Sequence, residues 1–428
     1  MKVTIFQSAS GDCVLLSAGS GRSETHVLVD GGMGESYTQH VGKAISRLPH
    51  LDLIYVSHID GDHIGGVLRM IDDAFDWKLY RYRLKKNVKH PKPKSAEPPP
   101  MRGIWHNAFH DQIPDDAGAV EDMALMLAEA GNVHDAYRDA AIRSQEYALS
   151  IPQALRLSER IGIRQLGLKV NQGRGKLLMA RRNQRPVKIG PMTFTILAPF
   201  AKDLEKLRSE WKQWLDSAAG KKETRRLRAR SVEDAKSIVL SSFAEIEGEL
   251  IEASKRIGDP SSVTPPNVAS LMAYVEEDGK TVLLTGDGLA KTVLDGLEVA
   301  RIIPKGGSLH VNVLKVQHHG SINNVDFDFA RHVTADHYIF CGNGGHGNPY
   351  PDVVQYFFDS RVGKERAAHA PNRKFHFWFS SHSSVTQRAY VKAMRAVEKR
   401  VAELEKQQGG EKLITHFLTK SAHPPLRI

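Results

Sequence analysis

An apolar run at residues 51–56 ends abruptly in a dense polar turn, and no other feature restricts this chain's possible folds as much. Residues 51–56 have the composition of a buried strand. Ser57-His58-Ile59-Asp60-Gly61-Asp62-His63-Ile64-Gly65-Gly66 follows at once. Two imidazoles and two carboxylates thus fall within six residues, and Gly61 permits the tight turn that aims them at one point. Imidazole with carboxylate is a donor set for zinc, manganese or iron. The plainer reading is a polar turn in which Asp62 caps a helix beginning at Ile64. That reading accounts for one His–Asp pair, but poorly for His-x-Asp-x-Asp-His behind a strand.

Two later strand ends carry the same side-chain types. Residues 281–284 lead into Thr285-Gly286-Asp287-Gly288, and residues 313–316 into Gln317-His318-His319-Gly320-Ser321. Asp287 alone is compatible with a turn, and His318-His319 alone with a surface pair. One shared site explains three such strand ends more simply than three unrelated turns.

The rest of the chain supports a layered α/β protein. Strands are predicted at residues 2–7, 13–18 and 26–29, the last ending at Asp30-Gly31-Gly32, and a helix over 37–48 with Val41, Ile45 and Leu48 on one face. A further helix is expected over 64–71. Strands are predicted again at 192–197, 270–276, 281–285, 311–316 and 337–340. A closing helix at 389–408 has Val391, Met394, Val397, Val401 and Leu404 at helical spacing. Residues 1–78 and 191–428 read as two halves of one fold, loosely alike, and 79–190 as an insertion. The insertion opens with the basic stretch 80–86 and the Pro-rich stretch 90–100, a composition typical of loops. Helices are expected around 117–130 and 134–161. Residues 202–258 are charged and helical, with Lys221, Lys222, Arg225, Arg226, Arg228 and Arg230 in their middle. Such a run is either a solvated helix face or a groove for phosphates.

Composition excludes several classes. With 41% hydrophobic and 25% charged residues the chain is neither disordered nor fibrous. No apolar run approaches the roughly 18 residues of a membrane span. The N-terminus alternates like a strand and lacks a signal-peptide core. The two cysteines, Cys13 and Cys341, imply no disulfide framework, so a cytoplasmic location is expected. A net charge of +10 attracts polyanions, or is simply a soluble basic surface.

Residues 57–66 resemble the metallo-β-lactamase-fold signature H-x-[HD]-x-D-H-x-G. With Asp60 at the second position, and with residues 283–288 and 315–321, the chain is similar to the ComEC-type competence-protein branch of these hydrolases. Gly11-Asp12-Cys13-Val14-Leu15-Leu16 resembles that branch's G-D-x-x-L-[IL]. Residues 343–351 resemble its N-x-x-G-H-P-[HY]-P, with one residue fewer before His346 and Gly347-Asn348 inserted after it. The resemblance covers roughly residues 1–75 and 190–380.

The resemblance implies an α/β, four-layer αβ/βα sandwich whose strand ends meet at one edge, carrying a helical insertion and a C-terminal helix. It implies one to two divalent ions, zinc or manganese. His58 and Asp60 would hold one ion, Asp62 and His63 the second, and Asp287 would bridge them. His318 aligns with the last histidine ligand, with His319 as the alternative. Asp62, His319 and His346 are the expected catalytic groups, His346 as proton donor to the leaving group or as a phosphate contact. Asp30 and Asn343 are expected behind the ligands, as hydrogen-bond supports. The middle histidine of binuclear members is missing from the strand at 192–199. His106 and His110 could substitute, or residues 103–110 form a packed turn around Trp105.

Two ions about 3.5–4 Å apart generate a hydroxide at neutral pH and clamp a phosphoryl or carbonyl oxygen. The leading expectation is therefore a metal-dependent phosphodiesterase or nuclease, supported by the charge and by the basic stretches at 80–94 and 221–230. A hydrolase of a lactone, thioester, phosphocholine ester or cyclic nucleotide is the alternative, and a non-catalytic effector-binding module the third. ComEC proteins carry membrane channel segments and this chain has none, so only the hydrolase chemistry carries over.

Overall fold

Along each short strand, neighbouring side chains leave opposite faces, and here both faces are apolar. Val27 and Val29 enter one core and Leu28 another; Leu53 and Tyr55 oppose Ile54; Val313 opposes Leu314. Strands that are apolar on both faces must lie between two layers. The computed structural model describes residues 1–107, 157, 160–162, 165–172, 177–204, 269–407 and 411–428. The helices expected at 117–130 and over most of 134–161, His110, and the run at 221–230 lie outside the described residues.

Among the described residues the chain forms two mixed sheets. The first contains β1 (Lys2–Ile5), β2 (Val14–Ala18), β3 (Thr25–Val29), β4 (Leu53–Tyr55), β5 (Gly103–Trp105), β6 (Lys169–Val170) and the C-terminal β15 (Leu426–Arg427), in the order β15-β1-β2-β3-β4-β5-β6. The second contains β7 (Val187–Ile189), β8 (Met192–Ala198), β9 (Met272–Glu277), β10 (Lys280–Leu284), β11 (Leu309–Lys315), β12 (Val333–Phe340), β13 (Phe375–Phe379) and β14 (Leu413–Phe417), in the order β14-β13-β12-β11-β10-β9-β8-β7. One core mixes residues of both sheets, from Val3 and Tyr55 to Val282 and Val313. A second joins the first sheet to the helical stretch 34–45 and the helix Gly61–Lys85. A third joins the second sheet to the helices Ala290–Val299, Phe327–His332, Pro351–Asp359 and Val391–Gln407.

The two halves repeat one scheme. β1, β2 and β3 pair antiparallel, and β3, β4 and β5 then pair parallel. Likewise β8, β9 and β10 pair antiparallel, and β10, β11 and β12 pair parallel. Parallel neighbours need a crossover, so the turns leaving β3, β4, β10, β11 and β12 all open at the C-terminal ends of their strands.

Three expectations change. The helix after the polar turn runs Gly61–Lys85, far past residue 71, so residues 80–85 are helical and not a loop. Its first turns bury Ile64, Val67, Leu68 and Ile71. Its distal part has few buried residues but no Gly or Pro to stop it, until Asn87 takes a left-handed conformation (φ 56°). Secondly, β5, β6 and β7 arise within residues 79–190, so the ends of the expected insertion belong to the sheets. Strands of two or three residues are too short to show alternation. Thirdly, the first helical stretch begins at Gly34 and is π-helical over Tyr37–Val41. The closing helix is Val391–Gln407, with Met394, Val397, Val401 and Leu404 buried as expected. No helix among the described residues is long and apolar enough to cross a membrane.

Away from the polar turns, His337, His376 and His416 lie side by side on β12, β13 and β14. His376 Nδ1 is 3.1 Å from His416 Nε2, and Trp378 Nε1 donates to His337 Nδ1 at 3.1 Å. Burial, then the neighbouring His376, pushes both His337 and His416 down to about 4, against a weaker pull from Asp336 on His337. A histidine whose pKa is depressed by folding contributes stability above its unfolded pKa and loses it as pH falls. Thermal melts of metal-free protein should therefore show Tm falling between about pH 6.5 and pH 4. The His337→Gln/His416→Asn variant should show a shallower fall, and equal slopes for the two proteins would refute this origin.

Candidate metal centre

The site is assembled by three backbone turns packed directly on one another. Gly31 N donates to His63 O at 2.9 Å, Gly66 N to Gly32 O at 2.8 Å, and Asp12 N to Asp62 O at 3.3 Å. A Cβ on Gly11 would lie 1.6 Å from Asp62 O, and one on Gly66 2.0 Å from Gly31 O, so both positions require glycine. Asp30 then joins the ends of β3 and β4. Its Oδ1 accepts from Ser57 N and its Oδ2 from Ser57 Oγ, both at 2.7 Å.

Four histidines have Nδ1 beside an oxygen partner. His58 Nδ1 lies 3.0 Å from Ser57 Oγ, His63 Nδ1 3.0 Å from Asp30 Oδ2, His318 Nδ1 2.7 Å from Asn324 Oδ1, and His319 Nδ1 3.0 Å from Asp12 Oδ1. Ser57 Oγ spends its proton on Asp30 and Asn324 Nδ2 donates to Asp287 O, so each oxygen faces its imidazole as an acceptor. These partners assign the proton to Nδ1 and the lone pair to Nε2. The four Nε2 atoms then converge, at 3.8, 3.3, 3.7 and 3.4 Å from Asp287 Oδ2 for His58, His63, His318 and His319. Among the described residues, Nε2 of His58 and of His63 is buried without a hydrogen-bond partner, as are Asp60 Oδ1 and Asp287 Oδ1. Each such orphan costs about 1–3 kcal/mol. A cation set among them satisfies all of these donor atoms together. Asp12, His63, Asp287 and His319 each present a ligand atom within 4.8 Å of the others, so this buried His/Asp cluster could hold a divalent ion.

The electrostatics give the same result. Burial opposes ionisation of Asp12, but Lys315, His319 and His63 outweigh it and hold the carboxyl well below the ordinary range. Asp287 is likewise held low by His63, His319 and His318 against burial, and Asp62 is lowered to about 2 by His63 and His319. Lys315 is buried beside Asp12, with Nζ 3.6 Å from Asp287 Oδ1; burial would lower its pKa, but the two carboxylates raise it. Asp12, Asp62 and Asp287, held ionised beside the Lys315 ammonium, make the pocket attractive to further positive charge. In the metal-free protein His63 and His319 supply that charge, their pKa values raised by Asp287 despite burial. A divalent ion bound there would supply positive charge in their place and displace those protons.

The structure brings together His58, Asp60, Asp62, His63, Asp287, His318 and His319. Asp60 Oδ2 is 3.5 Å from His58 Nε2, and Asp62 Oδ2 is 3.0 Å from His319 Nε2. Where the sequence left His318 and His319 as alternatives, both reach Asp287. His319 is the more deeply buried, with 5% side-chain exposure against 27%. Asp30 Oδ2 lies 3.0 Å from His63 Nδ1 and accepts from Ser57 Oγ. Asn343 holds its own loop, with Oδ1 accepting from Gly345 N at 3.1 Å. His346 is exposed on that loop, in the turn Gly345–Gly347. The loop borders the cluster: a Cβ on Gly342 would lie 3.2 Å from His319 Cβ, and Asn348 Nδ2 donates to His318 O at 3.3 Å. His106 is buried at the end of β5, its backbone N–H and C=O both bonded by Asn171.

Sequence reasoning gave no role to Asp12 or Lys315. The Gly11-Asp12 pair was visible as a motif, but nothing local connects it to a histidine more than three hundred positions away. Lys315 reads as an ordinary strand-end residue.

No family model matches the chain, and no curated protein matches it. Fold and site by themselves define an α/β protein of two mixed sheets with a buried cluster able to bind a divalent cation.

Proposed function

We propose that the protein is a metal-dependent hydrolase on the four-layer αβ/βα metallo-β-lactamase sandwich, of the ComEC-type branch, acting on phosphodiesters as a nuclease. One observation carries this reading: four imidazole Nε2 atoms from the turns after β4 and β11 converge on one oxygen of Asp287, after β10. The helices on the outer face of each sheet, and the core shared between the sheets, support the sandwich.

Asp62, His63, Asp287 and His319 would hold one zinc or manganese ion, with Asp12 behind His319. His58, Asp60 and His318 would hold the second, sharing Asp287. When bound, the ions supply Lewis acidity and a water nucleophile at neutral pH. The protein's own part is orientation: Ser57, Asp30, Asn324 and Asp12 fix which nitrogen of each imidazole faces inward. His346, exposed on the bordering loop, gives a proton to the departing oxygen or contacts the phosphate.

The test is hydrolysis by protein loaded with Zn²⁺ or Mn²⁺. The substrates are bis(p-nitrophenyl) phosphate, single- and double-stranded DNA, RNA, a lactone and a thioester. The proposal expects cleavage of the diester and of nucleic acid, abolished by EDTA. Turnover of the lactone or thioester alone would replace it with the small-molecule reading. No turnover by metal-loaded protein would favour an effector-binding module.

A further inference from the structure

The helix that begins at the cluster carries a second feature at its far end. Eight Lys and Arg residues lie between positions 78 and 94, with no Asp or Glu among them. Lys78, Arg81, Tyr82 and Lys85 stand at i, i+3, i+4 and i+7, which is one stripe of the helix Gly61–Lys85. Tyr82 is 60% exposed among the described residues, an unusual position for an aromatic ring.

The segment after the helix folds back along it. Trp77 Nε1 donates to Ser95 O at 3.1 Å, Lys92 Nζ lies 5.4 Å from the Trp77 ring centroid, Arg83 bonds His90, and Arg81 pairs with Glu97. Lys92 is therefore held against the helix, and Lys89 and Lys94 belong to the same folded-back segment. The only neighbouring acid in these contacts, Glu97, leaves the surface strongly positive.

We propose that this tip is an exosite for a nucleic-acid backbone. Closely spaced cations match phosphates, and an exposed ring offers a base a stacking platform. An anionic membrane fits less well. Exposed Leu84 is two residues from Tyr82, about 200° round the helix, and exposed Val88 lies beyond the helix end at Asn87, so among the described residues these three do not form one apolar helix face to enter lipid. Asp62 and Lys85 are 23 positions apart on one helix, placing the tip roughly 35 Å from the cluster. That distance is about ten base pairs of duplex. Backbone binding stands independently of the proposed hydrolase; a length threshold for cleavage rests on it.

The test compares wild type with an Arg81→Gln/Lys85→Gln/Lys86→Gln/Lys89→Gln variant, all distant from the metal ligands. Fluorescence anisotropy on a 30-base-pair duplex, at several salt concentrations, should give a log–log slope flatter by about three to four units in the variant. Tyr82→Ala should weaken single-strand binding by about tenfold. Cleavage of the 30-base-pair duplex should fall in the variant, while turnover of a five-nucleotide substrate and of bis(p-nitrophenyl) phosphate should not. An unchanged salt slope overturns the exosite. So does binding to phosphatidylglycerol vesicles in preference to the duplex. Absence of all diester cleavage by wild type would count against the hydrolase alone, since the binding measurements judge the exosite without it.

Discussion

Asp287→Asn should leave a folded protein that has lost at least one ion and at least about a hundredfold in diester turnover. The carboxylate oxygen being neutralised is the one on which His58, His63, His318 and His319 converge. Asparagine keeps the volume and can still pack against Ser270 and Asn324, whose contacts are with the Asp287 backbone. What it removes is the charge that two cations would share. Its amide would also present N–H groups to atoms that need a cation. Circular dichroism establishes the fold, and elemental analysis with diester kinetics measures the effect. Near-wild-type metal content and turnover in this variant would dismiss Asp287 as the shared ligand.

Lys315→Met should have the largest effect on stability. Its Nζ pairs with Asp12, lies 3.6 Å from Asp287 Oδ1 and donates to Gly286 O at 3.0 Å, all in a buried pocket. Removing one partner of a buried pair leaves the other charge uncompensated, at a cost of about 3–5 kcal/mol. The metal-free variant should therefore melt well below wild type. Saturating Zn²⁺ or Mn²⁺ should recover part of the difference, because a ligand that binds only the native state stabilises it. Equal melting temperatures for the two metal-free proteins would show that the lysine carries no such charge balance.

These two residues mark the boundary of what the sequence makes legible. His58, Asp60, Asp62 and His63 are close in the chain and follow a strand that is apolar on both faces, so residue order alone announces them. Asp287 and the His318-His319 pair are recognisable as further strand ends with ligand chemistry. The contact between Asp12 and His319, by contrast, spans 307 positions and depends on the two sheets closing over one core. No periodicity encodes that closure. The same limit explains β5, which is three residues long, pairs parallel with β4, and is recognisable only from its neighbour. The helix after the polar turn was visible at its start, where burial imposes a helical period. Its end is not announced in the same way, because no apolar residue beyond Ile71 is buried and no hydrophobic period continues there. His346 is expected over the site, and the structure exposes it on the loop that borders the His/Asp cluster.

Metal content tests the cluster most directly. Wild-type protein and Asp287→Asn are loaded with Zn²⁺ or Mn²⁺, desalted and analysed for metal per chain, and proton release on loading is followed in weakly buffered solution. Wild type should retain one to two ions and release protons as His63 and His319 become ligands, with the variant retaining fewer. Wild type that retains no ion from either metal and releases no protons would contradict the site.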